Sequence, residues 1–159
     1  MNEPVELRRS ARGVVLDESN RVLLLYGRVQ EFPPVSAWYT PGGRLEDGES
    51  WEEALRRELA EELCLRGIDV GPHVWTRRSI QRRGNVAVPA VARFFLVRVA
   101  AFTPDTSGIG SSEVDVHWKW WSYEELLGRP EIRLIPPGFT HLLAPLLHGD
   151  VPIEPVDAS

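Results

Sequence analysis

Residues 43–65 constrain this chain more tightly than any other stretch, because a glycine turn there is followed at fixed intervals by acids and one arginine. The order is Gly43, five residues, Glu49, seven residues, then Arg57-Glu58-Leu59-Ala60-Glu61-Glu62-Leu63-Cys64-Leu65. Ser50-Trp51-Glu52-Glu53 has the form of a capping box, in which serine closes one orphan amide and Glu53 reaches back to another, so a helix starts there. Trp51, Leu55, Leu59 and Leu63 recur every four residues and give that helix an apolar face for a sheet. Glu58 lies four residues before Glu62 and three before Glu61, which places their Cβ atoms about 5–6 Å apart on one face. Like charges so placed weaken a helix. A divalent cation explains their accumulation, since hard oxygen ligands suit Mg²⁺ or Mn²⁺, and the cation would in turn attract phosphate.

A simpler explanation is a solvated acidic face, and offsetting pairs four apart do exist: Glu52 with Arg56, Glu53 with Arg57, Glu62 with Arg66. The context argues against it. The acids follow Tyr39-Thr40-Pro41-Gly42-Gly43 and keep register with both Glu49 and Arg57.

In that register the segment resembles the Nudix box, the signature of hydrolases of nucleoside diphosphates linked to another moiety. The box reads Gly, five residues, Glu, seven residues, Arg, Glu, aliphatic, any, Glu, Glu, any, Gly, aliphatic. Every specified position matches except the last glycine, where Cys64 stands. The resemblance implies an α/β/α sandwich with a mixed central sheet and the catalytic helix following the Gly-Gly turn. It implies Mg²⁺ (or Mn²⁺) as cofactor and a small nucleotide as substrate. By the same resemblance, Glu58 and Glu62 are the main metal ligands and Glu61 is a ligand or water positioner. A carbonyl of the turn, at Gly42, is a further ligand, and glycine allows its close approach. Glu49 and Arg57 form a structural salt bridge. A later acid often joins such sites, and Glu113, seven residues before Trp120, is the candidate ligand or base, with Asp105 and Asp115 as rivals. The family is often dimeric, which makes a homodimer an expectation without a diagnostic interface.

Cys64 departs from the pattern. Either it accepts the left-handed conformation that glycine usually supplies, or the helix runs on to Gly67. Its acidic neighbourhood argues against a nucleophilic thiolate and for a small buried residue.

The remaining limits come from composition. A chain of 159 residues can bury a core without disulfides, and a lone cysteine cannot form an internal one. A charged start from Met1 to Ser10 and the lack of a membrane-length apolar run suggest a cytoplasmic protein with no membrane partner. A formal charge of −5 argues against duplex nucleic acid as a partner while allowing a compact anion held through metal.

Apolar runs at Gly13–Leu16 and Val22–Tyr26 flank Asp17-Glu18-Ser19-Asn20 and predict a hairpin. Gly27 to Ser36 reads as a loop, Ala37 to Thr40 as a strand, and 73–81 with 87–99 as a second hairpin. A strand at 116–121, a helix capped by Ser122, a helix over 138–147 and a loose tail at 152–159 complete one domain spanning 1–151. Arg77 and Phe32 are the better candidates for substrate contacts, ahead of Tyr26, Trp38 and Trp75. Two other readings are a Nudix-fold nucleotide-binding or regulatory module, disfavoured by the intact acids, and an isoprenyl diphosphate isomerase, whose cysteine and glutamate find no convincing match.

Overall fold

The computed structural model describes residues 6–109 and 116–159. Its elements run β1 (Arg8–Leu16), β2 (Val22–Val29), β3 (Val35–Tyr39), β4 (Gly42–Arg44), α1 (Trp51–Leu63), β5 (His73–Arg83), β6 (Val86–Arg98), β7 (His117–Trp121), α2 (Tyr123–Leu127), β8 (Leu134–Ile135), α3 (Phe139–Leu147) and β9 (Val156–Asp157). One mixed sheet carries all the strands in the order β8-β3-β2-β1-β6-β5-β9, with β4 added to β1 and β7 to β2. The long seam is parallel: β1 pairs with β6 from Arg8 against Ala90 to Leu16 against Arg98.

Alternation along the strands divides the core into two layers. Val14, Leu16, Val22, Leu24, Phe94 and Leu96 face one side and meet Phe139, Leu143 and Leu146 of α3 and Leu126 of α2. Ala11, Val15, Leu23, Leu25, Phe95 and Val97 face the other and meet Ala54, Leu55, Leu59 and Leu63 of α1. The α/β/α sandwich is therefore present, with α1 alone on one face. Trp51 is half-buried at the edge, where the Arg93 guanidinium lies 4.3 Å from its ring centroid.

Local signals placed the helices correctly. Ser50 and Ser122 both form complete capping boxes with Glu53 and Glu125. Extended structure was under-read. The loop expected over Gly27 to Ser36 shrinks because β2 runs to Val29 and pairs there with Val35 of β3. The polar start Arg8 to Arg12 is a strand because β6 supplies its partner across the seam. Part of the segment expected to be a loose tail is ordered instead: β9 pairs in parallel with β5, Ala158 is buried, and its amide donates to the Thr76 carbonyl over 2.8 Å. Among the described residues no helix is long and apolar enough to cross a membrane.

At the end of α1 the first alternative holds. Cys64 is the C-cap with φ 55° and ψ 29°, and its amide donates to the carbonyls of Ala60 and Leu59. The helix does not continue to Gly67, which takes its own positive φ of 67°. Cys64 is exposed, contrary to the expectation of burial. A left-handed cysteine carries strain that glycine lacks, so Cys64→Gly is expected to raise stability by about 1 kcal/mol. Urea denaturation should show a higher midpoint at unchanged slope; an unchanged or lower midpoint would count against strain at this position.

Candidate active site

The Gly-Gly turn is β4, and glycine is required there on both sides. Gly42 has φ +141°, and a Cβ on it would fall 2.1 Å from the Ala11 carbonyl oxygen of β1. A Cβ on Gly43 would fall 2.4 Å from the Glu58 carboxyl carbon. Any side chain at 43 would therefore push the helix acid away from the turn backbone. Glu62 comes to the same place, its Oε2 lying 3.4 Å from the Gly42 amide.

Arg57 locks this approach. Its Nε donates to Glu49 Oε2 over 2.7 Å and its Nη2 to Glu49 Oε1 over 2.9 Å, a two-pronged pair. Nη2 also donates to the Arg44 carbonyl over 2.9 Å, and Nη1 to Glu58 Oε1 over 2.9 Å. One guanidinium thus ties the helix, the loop before it and the strand carrying the glycines. Its hydrogen bonds, with help from the Glu46 backbone, hold the Glu49 carboxyl down at about 2, while Glu49 first and Glu58 next raise Arg57 further.

Beneath the turn lies Arg12 of β1, whose Nη1 donates to the Gly42 carbonyl over 3.0 Å and to the Thr40 carbonyl over 3.4 Å. It faces Glu62, whose pKa is pushed up to about 7: burial is the largest cause, Arg12 opposes it, and the Glu58 charge adds to it. Burial and then Glu62 likewise raise Tyr39. Arg12, Tyr39, Gly42, Gly43 and Glu62 line a cleft of about 260 Å³. A second, narrower pocket shares Arg12 and Tyr39 and reaches Glu31 and Arg77.

A sequence model of the NUDIX domain matches residues 6–143. The chain belongs to the Nudix family. It is 39% identical over 100 residues to the 8-oxo-dGDP phosphatase of Homo sapiens, covering 60% of this chain and 28% of that protein. It is 32% identical over 123 residues to the RNA pyrophosphohydrolase of Teredinibacter turnerae, covering 70% and 69%. Against the RNA pyrophosphohydrolase of Shewanella frigidimarina it covers 57% of the relative's length, so the chain spans between about a quarter and two thirds of these curated relatives. The MutT protein from Methanosarcina mazei Go1 shares the fold, with a TM-score of 0.64 at 19% identity over 94% of this chain and 99% of that one.

The Nudix box residues fit a hard divalent cation in part. Two carboxylates, Glu58 and Glu62, converge on a glycine backbone that admits them, and protonation of Glu62 up to about 7 marks a site that a cation would relieve. The Gly42 carbonyl is engaged by Arg12 yet keeps a second lone pair. Among the described residues no three His, Cys, Asp or Glu side chains gather as a cation cage, so phosphate and water oxygens would complete the shell. Glu61 is more exposed and lies 3.3 Å from Arg57.

Glu113 and its rival Asp115 lie outside the described residues. Asp105 holds its own turn, accepting from the Ser107 amide over 3.0 Å and the Ser107 hydroxyl over 2.6 Å. The loop beyond it crosses α1, since a Cβ on Gly108 would fall 2.5 Å from the Glu61 carbonyl oxygen. Arg77 does line a pocket, ion-paired with Glu31. Phe32 stands half-exposed and does not line either compartment. Trp75 is core, packed on Phe94 and Phe139, and Tyr26 and Trp38 pack on each other. Sequence reasoning passed over Arg12 and Tyr39; the signal for Arg12 was a charge set inside the apolar run that begins at Ala11.

The raised Glu62 pKa has a definite sign in the metal-free protein. Folded Glu62 keeps its proton to about 7 whereas the unfolded chain releases it near 4.5, so stability contributed below 4.5 is lost as pH rises to about 7. The loss amounts to about 3 kcal/mol. Glu62→Gln is expected to remove it, so urea midpoints in EDTA should match wild type at pH 4 and exceed it at pH 8. Parallel profiles would contradict the burial of this carboxyl.

Proposed function

We propose that the protein hydrolyses a diphosphate linkage in a nucleoside diphosphate derivative or a nucleoside triphosphate, using Mg²⁺ or Mn²⁺. The observation that carries this reading is the convergence of Glu58 and Glu62 on the Gly42–Gly43 backbone, beside a cleft lined by Glu62 and Arg12. The activities named for the relatives, an 8-oxo-dGDP phosphatase and RNA pyrophosphohydrolases, agree in reaction class and leave the nucleotide open.

Water must reach a phosphorus shielded by anionic oxygens, so the site has to supply positive charge and a base. When bound, a divalent cation neutralises the diphosphate oxygens and acidifies a water. Glu58 and Glu62 would hold it, with the Gly42 carbonyl as a further oxygen and Glu61 as ligand or water positioner. Arg57 and Glu49 fix those acids and carry no chemistry of their own. Arg12 lies within the cleft and is placed to donate to a phosphate oxygen. Arg77, oriented by Glu31, is placed to contact the distal part of the nucleotide. Glu113 is the proposed additional ligand or base. The substrate is a small nucleotide, with no duplex nucleic acid and no membrane involved, and the protein acts in the cytoplasm.

The test is phosphate and pyrophosphate release from nucleoside triphosphates, nucleotide sugars, dinucleotides and cofactors with Mg²⁺ or Mn²⁺. Wild type is expected to turn over one class, and Glu62→Gln to lose about a hundredfold or more. Nucleotide binding without turnover of any class would instead support a binding module.

A further inference from the structure

Glu62 and Arg12 account for only part of the lining of the cleft. Beside that part of the lining lies a group of guanidiniums, Arg8 and Arg44 in the cleft wall and Arg83 joined to Arg44 through Glu6. Arg8 opens β1, Arg44 closes β4, and Arg83 closes β5 at the hairpin tip. Glu6 stands between two of them, ion-paired with Arg83 and 3.7 Å from Arg44. Arg8 donates to the Arg82 carbonyl over 2.9 Å, and its Nε is buried without a hydrogen-bond partner among the described residues. Arg8 and Arg44 line the cleft that reaches Glu62 and Gly43. Burial first, and then the positive charges of Arg44 and Arg83, lower the Arg8 pKa.

Two cations therefore share one carboxylate, and the third, Arg8, makes no ion pair among the described residues. The Glu6 pairs are weak, because the side chains of Glu6, Arg44 and Arg83 are 54%, 52% and 60% exposed. A chain with a net charge of −5 nonetheless concentrates positive charge beside this cleft. Mutual repulsion there costs folding free energy, and an anionic ligand would recover it. Phosphate oxygens also suit guanidinium better than a single mobile carboxylate does, because they accept in parallel.

We propose that Arg8, Arg44 and Arg83 form a second anion site, which takes a phosphodiester group carried by the substrate beyond the diphosphate that is cleaved. Glu6 occupies this site in the free protein and is displaced on binding. The proposal rests on the hydrolase reading but concerns binding alone. Among small nucleotides it favours those that carry a phosphodiester past the reacting nucleotide over mononucleotides.

The test uses two 5′-monophosphorylated dinucleotides that differ only in their linkage, one a phosphodiester and one a neutral methylphosphonate. Neither contains an anhydride, so binding is read without turnover, and failure of the hydrolase reading leaves the result intact. Wild type is expected to bind the diester about fivefold more tightly than the methylphosphonate. In Arg83→Ala that ratio should fall towards one, and the slope of log K against log salt for the diester should flatten by about 0.7. Glu6→Gln should increase the ratio by removing the competing carboxylate. Both substitutions are at exposed positions, so neither threatens folding. Equal affinities in wild type, or a ratio that neither variant moves, would overturn the proposal.

Discussion

The placement of the helix acids against the glycine turn depends on one guanidinium. Arg57 reaches Glu49 by two parallel bonds, Glu58 by a third and the Arg44 carbonyl by a fourth, so helix, preceding loop and glycine strand move as one body. Without it, Glu58 and Glu62 would repel each other on a helix free to pivot away from β4. The arrangement is costly by itself: a carboxyl is buried until it holds its proton to about 7, and a second one fills the space where Gly43 lacks a side chain. A structural purpose does not explain such placement. Binding of a hard cation, as proposed, would.

The sheet is the second constraint. The parallel β1–β6 seam sets β1 at the centre, and β1 carries both the strand partner of the glycine turn and Arg12. Its side chains alternate between the two cores, so the site is rooted in the most buried part of the molecule while the acids sit at the rim of the α1 layer. Rigidity of this kind is what positioning charged ligands requires.

Much of this was legible in the sequence because it is local. The capping box at Ser50, the four-residue apolar repeat of α1 and the spacing of Glu49, Arg57, Glu58, Glu61 and Glu62 are short-range patterns that survive into the structure unchanged. What was not legible depends on distant partners. Arg8 to Arg12 and Val156–Asp157 are strands only because β6 and β5 present edges to them, and no local propensity announces that. Cys64 was ambiguous for a related reason: the sequence offered Cys64 and Gly67 as helix ends, and closure of the α1 C-terminus on Leu59 and Ala60 decided between them. The role of Arg12 was hidden because a charged residue in a strand acquires meaning only when the opposing Gly42 carbonyl is in view.

The central claim is that Glu58 and Glu62 together hold a divalent cation against the Gly42–Gly43 turn. Titration of Mn²⁺ followed by electron paramagnetic resonance tests it without reference to any substrate. Wild type should remove free Mn²⁺ signal saturably, and Glu58→Gln and Glu62→Gln should each abolish most of that binding. Equal Mn²⁺ binding in wild type and in both variants would contradict it.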